Sequence, residues 1–361
     1  MSSRAQFVNA LLVALCLGGL ANSGAKAQDL SKAEQIYADL AKLPAAERAK
    51  KIEEGARQEG QINIVQTLRD ELGNGQIRLF QQAYPFLKVD WTASLGSADG
   101  AERLYAEETA GRHLTDAINV AAADLTQLLD HNMLARYASP EEERILPQYR
   151  SAADPDHRYV LSFFDLNGMI YNTNLVPPDK APKQWMDLCN PFFKGNISFD
   201  PVLARQVAGF YKMFGDKTVD FFRCLGANKP IVQRGFSQRF TLMMAGDHMV
   251  VGDGYTYQAV LEKRKRPDAP IDFVKTAPFL AGFGGLALNR ETQHPYATAL
   301  FADWMLSDAA QGYLAQQLRG PVTLKHPYMP DGATFVVMPN LPSNVIDPLV
   351  AEWRHDIEGV N

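Results

Sequence analysis

The sequence predicts an α/β protein built on open, mostly parallel sheets flanked by helices. Three observations carry this. Short apolar runs alternate with amphipathic helical stretches at the spacing of parallel strand-helix-strand units. A chain of 361 residues, 46% hydrophobic and 21% charged, has an ordinary globular composition and is long enough for two cores of roughly 150 residues each. No internal repeat or low-complexity tract interrupts the pattern.

The first 27 residues stand apart from it. Arg4 precedes an apolar stretch over residues 7–20 broken only by Asn9, and Ala25-Lys26-Ala27 follows, which fits a secretory leader with a small-x-small cleavage site. The stretch falls short of the about 20 apolar residues that a membrane span needs. Cleavage after Ala27 and a periplasmic location are therefore expected. Cys16 departs with the leader and leaves Cys189 and Cys224. In an oxidising compartment such a pair is expected to form a disulfide, and two thiolates without a histidine nearby make a poor zinc cage. Losing the two cations Arg4 and Lys26 moves the formal net charge from −5 to −7. An acidic chain with no sustained basic face argues against a nucleic-acid partner. The basic run 263–266, just ahead of Pro267, reads as a solvated helix end whose cations suit the negative pole of the helix dipole.

Taken in order, Ser31-Lys32-Ala33-Glu34 is a capping box that opens two helical stretches, and Gly60 stops the second. A strand over residues 62–65 follows, then a glycine-flanked turn at Gly73 and Gly75 and a helix ending before Pro85. Val89 and Trp91 alternate as a second strand. Ser97 sits at an N-cap position, a helix reaches Gly111, and residues 117–121 form a third strand. A second α/β set starts near Asn167, with strands at 169–171, 196–199 and 249–251 and a helix from about Leu203. Residues 271–274 read as a strand, Gly282, Gly284 and Gly285 punctuate a crossing, and 286–288 form another short strand. Tyr296, Leu300 and Trp304 at i, i+4 and i+8 bury one face of a helix after Pro295. Ser307 caps its successor, which Gly320-Pro321 ends. Prolines at 321, 327, 330, 339 and 342 suggest an extended wrap before a short helix near Val350.

Several of these segments are similar to the periplasmic solute-binding proteins of ABC importers, in the type II two-lobe fold and its ferric-ion-type branch. The segments are Ala56-Arg57-Gln58-Glu59-Gly60-Gln61-Ile62-Asn63-Ile64-Val65 and Gly168-Met169-Ile170-Tyr171-Asn172-Thr173-Asn174-Leu175-Val176. Pro182-Lys183-Gln184-Trp185-Met186-Asp187-Leu188, Phe193-Lys194-Gly195-Asn196-Ile197 and the stretch from His294-Pro295-Tyr296 to Gln311-Gly312 complete the set. Their order over nearly the whole chain after the leader carries the resemblance. It implies two α/β lobes, residues 28–164 with 283–320 and residues 165–282, each an open mostly parallel sheet flanked by helices, with the lobe of the tail 321–361 left open. A solute binds in the cleft between the lobes as the hinge closes. The implied partners are a small-molecule or ion ligand and an ABC permease in the inner membrane. The chain is expected to be a monomer and no enzyme, and to need no cofactor.

Four segments are expected to reach the cleft, where strand ends and helix starts offer free N–H groups. They bring Thr67 beside Gln66; Ser94, Ser97 and Asp99 around Gly96; Asp200 and Arg205 with Gln206; and Asp253, Tyr255 and Tyr257. Each residue has a plainer reading: Ser97 as an N-cap, Asp200 with Pro201 as a helix start, Arg205 as half of a surface ion pair. In ferric-binding relatives two adjacent tyrosines after this last strand supply phenolates, which suit a hard trivalent cation. Here Thr256 separates Tyr255 from Tyr257. In a helical turn the two point to nearly opposite sides; in an extended strand they share a face. No histidine follows the first strand, where Thr67 stands, and only Glu102 offers a nearby acid. An organic or oxyanion solute is therefore favoured over ferric ion, with Tyr255 and Tyr257 the candidate ligands should iron bind.

Other classes fare worse. Gly235-Phe236-Ser237 lacks the last glycine of a hydrolase nucleophile elbow. A His-Glu-x-x-His zinc helix is absent, and the glycines at 282–285 miss the dinucleotide spacing. A ligand-sensing module for a receptor kinase would use the same closed-lobe surface and stays open as an alternative.

Overall fold

The computed structural model describes residues 29–68, 70–94, 96–201, 203–339 and 341–360. The chain divides into a short leading unit, residues 1–30, and a body, residues 31–361. The expected leader and its cleavage site lie outside the described residues.

The body opens with α1 (Lys32–Leu40), where Ser31 Oγ accepts from the Glu34 N–H and the Glu34 carboxylate accepts from the Ser31 N–H, a reciprocal capping box. α2 (Ala45–Glu59) ends on Gly60 at φ 71, a left-handed residue that glycine adopts without a Cβ clash. β1 (Gln61–Gln66), α3 (Asp70–Ala83), β2 (Lys88–Ala93), α4 (Ser97–Thr109), β3 (Ala117–Ala121) and the short α5 (Thr126–Asp130) follow. Then β4 runs from Val160 to Asn172. Next come β5 (Ile197–Phe199), α6 (Ala204–Phe214), α7 (Thr218–Ala227), β6 (Ile231–Val232), α8 (Phe236–Ala245), β7 (Val250–Tyr255), α9 (Thr256–Lys265) and β8 (Ile271–Phe273). β9 (Phe279–Leu288), α10 (Pro295–Met305), α11 (Asp308–Gln316), β10 (Phe335–Val337) and α12 (Ser343–Trp353) complete the body.

The strands form one sheet in the order β2-β1-β3-β9-β4-β7-β5-β6, with β10 on β9 and β8 on β4. β4 and β9 form an antiparallel pair in its middle. The parallel trio β2-β1-β3 joins through β9, and the parallel trio β7-β5-β6 joins through β4. The register decides where the chemistry can sit. β3 lies level with the start of β4, because both pair with residues 284–286 of β9, whereas β7 pairs with β4 residues 167–171. Strand directions then aim the carboxyl ends of both trios at the middle of β4, near Asp165. In open α/β sheets ligands bind beyond the carboxyl ends of strands.

Two large clusters carry the packing, and the first runs on through the crossing strands to Phe240, Val251 and Phe273 of the second half. One cluster gathers Ile62, Ile64, Phe80, Phe301 and Trp304 behind the first trio. Another gathers Trp185, Phe199, Phe210, Phe222 and Trp353 in the second half. The last helix packs there: Trp353 of α12 meets the rings of Phe199, Phe210 and Phe222 at centroid distances of 5.4, 5.9 and 5.1 Å, contacts worth about 0.5–1.5 kcal/mol each beyond area burial, whereas Val322, Phe335 and Val337 of the same tail pack with the other cluster. Cys189 and Cys224 are disulfide-bonded in the second half, with Cα atoms 5.3 Å apart.

Three expectations need correction. Gly73 and Gly75 do not make a turn; α3 runs through both. Their missing side chains are room for others, since a Cβ on Gly73 would strike the Leu68 carbonyl and one on Gly75 the Tyr313 hydroxyl of α11. Gly282, Gly284 and Gly285 likewise lie inside the unbroken β9, with the Phe163 ring occupying the space a Gly284 side chain would need. And β4 begins at Val160, well before residue 169. Ser162, Asp165 and Asn167 interrupt its apolar run and hide its continuity in the sequence.

Candidate ligand-binding site

On the first half's wall, the expected groups close the backbone. The Thr67 N–H and hydroxyl both donate to the Asn119 carbonyl, at 3.0 and 3.3 Å. Ser94 Oγ donates to the Gly96 carbonyl at 2.8 Å. Ser97 is not the N-cap of α4: that residue is Gly96, with no side-chain cap. Ser97 Oγ instead accepts the Ala121 N–H at 2.7 Å and so fastens the end of β3 to the start of α4. Asp99 stands exposed in the first turn of α4.

On the second half's wall, Asp200 and Asp253 are held by an arginine that the sequence reading passed over. Arg239 of α8 is fully buried and donates through Nη1 to Asp253 Oδ1 and through Nη2 to Asp200 Oδ2 at 2.6 Å. Asp253 Oδ2 also accepts the Asp200 N–H at 2.9 Å, and Asp200 Oδ1 the Gly235 N–H at 3.2 Å. Burial raises the Asp253 carboxyl, with Arg239 opposing the rise. This knot ties the ends of β5 and β7 to α8.

Between the walls lies a looser cluster. Asp165, at the centre of β4, meets Arg319 Nη2 at 3.2 Å. The Arg319 guanidinium lies 4.4 Å from the Tyr257 ring centroid, and its buried Nε has no hydrogen-bond partner. Arg205, in the first turn of α6, lies 3.6 Å from Asp124, just past β3. That contact reaches across from the second half to the first, and no hydrogen bond accompanies it. Burial pushes the Asp165 carboxyl up, against the pull of Arg319 and Arg205. Burial likewise raises the Tyr255 phenol, with both arginines pulling it down and Asp165 adding to the rise. The two cations therefore act on one spot.

The tyrosines resolve in a way neither extreme foresaw. Tyr255 is the last residue of β7 and Tyr257 lies in the first turn of α9, so the pair straddles a strand-to-helix junction. Their ring centroids are 6.1 Å apart, and Tyr255 also packs edge-on against Phe236 at 5.3 Å. The Tyr257 hydroxyl accepts from Gln258 Nε2 at 3.1 Å. Among the described residues no group of three or more His, Cys, Asp or Glu side chains could hold a metal ion. A cavity of about 650 Å³ opens beside Arg205, walled by residues that include Ala123, Phe283, Phe335 and Met338.

Asp165, Arg319, Arg239 and Asp124 were absent from the sequence reading. Two carried a signal. Asp165 is the one acid within the apolar run 160–166, and Arg319 precedes the Gly320-Pro321 stop.

Two sheet halves whose strand ends face each other across crossing strands, with cations and phenols at the junction, define the two-lobe periplasmic-binding-protein class. A family profile described as bacterial extracellular solute-binding protein matches residues 122–339, more than half of the chain, and the chain belongs to that family. It is an extracytoplasmic solute-binding protein of the ABC-importer type. No curated protein matches the sequence. Among solved structures, iron-bound HitA from Pseudomonas aeruginosa is 18% identical, covering 82% of this chain and 96% of that one at a TM-score of 0.64. AfuA from Actinobacillus pleuropneumoniae, with exogenous fructose-6-phosphate bound, is 20% identical over 83% of this chain and 99% of that one, TM-score 0.64. FutA (IdiA) from Trichodesmium, with iron and citrate, is 15% identical over 82% and 99%, TM-score 0.69. At these identities the likeness speaks for the fold alone. No described helix is long and apolar enough to cross a membrane.

Proposed function

We propose that this chain captures a small organic or oxyanion solute between its two halves and delivers it to an inner-membrane ABC permease. The observation that carries the reading is Arg205. It stands where the strand ends converge, it draws down the Tyr255 phenol and the Asp165 carboxyl together with Arg319, and its only carboxylate partner among the described residues is 3.6 Å away. Five guanidinium N–H donors with no hydrogen-bonded partner among the described residues suit an incoming carboxylate or phosphate. The same charges count against ferric ion, because two arginines near the tyrosines repel a trivalent cation. The reading includes removal of residues 1–27 after Ala27 and lobes spanning 28–164 with 283–320 and 165–282.

The test is a thermal-shift screen of the processed protein against ferric citrate, inorganic phosphate, phosphonates, sugar phosphates, thiamine and organic acids. A ligand at a hundred times its dissociation constant should add about 2.7 kcal/mol. The expected hits are anions. Stabilisation by ferric salts alone, with a visible phenolate-to-iron absorption band, would overturn the choice of solute.

A further inference from the structure

The cavity beside Arg205 has a definite origin in the sheet. β3 and β10 lie on the edge of β9 opposite β4, β3 along residues 284–288 and β10 along residues 279–281. Gly282 and Phe283 are left without a strand partner on that edge, and both line the cavity. A side chain at Gly282 would meet Met338 Cε at 2.8 Å, so glycine leaves this wall methionine its place.

The walls have contrasting chemistry. Tyr159, Phe283, Phe335, Val337 and Met338 offer carbon surface, whereas α6 offers Arg205 and Lys212. These two cations stand seven positions apart, two helical turns, on one face and roughly 10 Å along the axis. No Asp or Glu lines the cavity. Lys212 has no ion-pair partner among the described residues, and Arg205 has only the distant Asp124. A space of about 650 Å³ falls within the range of small-molecule sites, which are mostly apolar with few polar groups.

Resting on the reading of the chain as a binding protein for an anionic solute, we infer that the solute is an amphipathic organic acid. Its carboxylate, phosphonate or phosphate group meets Arg205, and its aromatic or aliphatic body lies along the Phe283–Phe335–Met338 wall. Lys212 at the far end of the α6 face adds positive potential. A bare oxyanion leaves that wall in water, and a neutral isostere leaves Arg205 without its partner.

Isothermal titration of the processed protein with acetate, benzoate, 3-phenylpropionate, 2-naphthoate and phenylphosphonate tests this, with 3-phenylpropionamide, phenethylamine, inorganic phosphate, fructose 6-phosphate and ferric citrate as the opposing set. Affinity should rise with the apolar body and vanish for the amide and the amine. Arg205→Met should weaken the best acid roughly tenfold or more, and Ala123→Phe, which fills the cavity, should abolish its binding. Lys212 is exposed on α6, so Lys212→Met keeps the fold whatever Ala123→Phe does, and it should weaken the acid by a smaller factor. Tight binding of phosphate, sugar phosphate or ferric citrate, unchanged in Ala123→Phe and Lys212→Met, would overturn the amphipathic acid while leaving a solute-binding protein. Silence across both sets would remove the anion reading and this inference together.

Discussion

Arg239 and Arg205 project from the same half of the molecule, each from a helix start beside the carboxyl ends of its strands, and they are used in opposite ways. Arg239 has no exposed side-chain surface and two carboxylates at hydrogen-bond distance. Arg205 keeps 23% of its side chain exposed and faces one carboxylate at 3.6 Å. A buried guanidinium without partners costs several kcal/mol, and Arg239 offsets that cost through both terminal nitrogens, its buried Nε having no hydrogen-bond partner among the described residues. A partly solvated one tolerates open valences. The difference separates a charge that holds the wall together from one that is free to hold something else. By this criterion Asp253 belongs to the fold, and Arg205 is the arginine left available to a ligand.

The sharpest way to break the comparison is Arg239→Met. It strands the buried Asp253 and the largely buried Asp200, and should lower unfolding stability by about 3–5 kcal/mol in urea melts of the empty protein. A loss under about 1 kcal/mol would mean that the knot is as dispensable as a surface pair.

The Cys189–Cys224 bond supplies a control that touches neither arginine. It closes a separation of 35 residues within the second half, and replacing both cysteines by alanine should cost about 2–4 kcal/mol without changing solute affinity. Two free thiols per denatured, unreduced wild-type chain would show that no bond forms in the exported protein. A changed affinity would mean that the site leans on that half's packing more than its distances suggest.

Arg205→Met should give the reverse profile. Its loose, partly exposed pair contributes under about 1 kcal/mol to stability, whereas loss of a charge-assisted contact to a bound anion costs about 1.5–3 kcal/mol of affinity. Melting temperature and titration, measured on the same preparation, decide it. Equal losses in both would erase the distinction drawn from Arg239.

Much of the fold was legible because its signals are local. The capping box at Ser31, the stop at Gly60 and the apolar stripe of Tyr296, Leu300 and Trp304 each depend on neighbours within two turns. What stayed hidden depends on partners far away in the chain. Gly75 looks like a turn until Tyr313 takes the place of its side chain, and Gly284 looks like punctuation until Phe163 does. The site divides the same way. Arg205, Tyr255 and Tyr257 could be placed near strand ends because the apolar runs before them are local signals. The commitment of Asp253 could not, since Arg239 lies 14 positions away on a different element, α8. Nor could the role of Asp165, because Arg319 reaches it from the end of α11.

The smallest expected effect concerns a committed charge that can be switched off. His294 Nδ1 lies 2.9 Å from Asp116 Oδ2, and Asp116 also accepts from the Asn63 N–H at 2.8 Å and from Thr292 Oγ1 at 2.6 Å. The hydrogen bond to Asp116 raises the imidazole above its usual 6.5, with burial opposing. The folded protein therefore holds this proton more tightly than the unfolded chain does. The resulting stability is fully present below about pH 6.5 and is lost as pH climbs through the raised folded value. Gln61 Nε2 sits 2.9 Å from His294 Nε2, so the imidazolium needs the Gln61 amide turned to present its oxygen, which keeps the gain modest. Melting temperatures of wild type and His294→Gln should thus differ most at pH 5.5 and converge by pH 8.5. Solute affinity, corrected for the ligand's own ionisation, should track the difference at neither pH, because this pair lies behind the first trio of strands and away from Arg205. A gap that widens with pH would mean that the neutral ring is the form the fold selects. An affinity that follows the gap would tie this saturated cluster to the site after all.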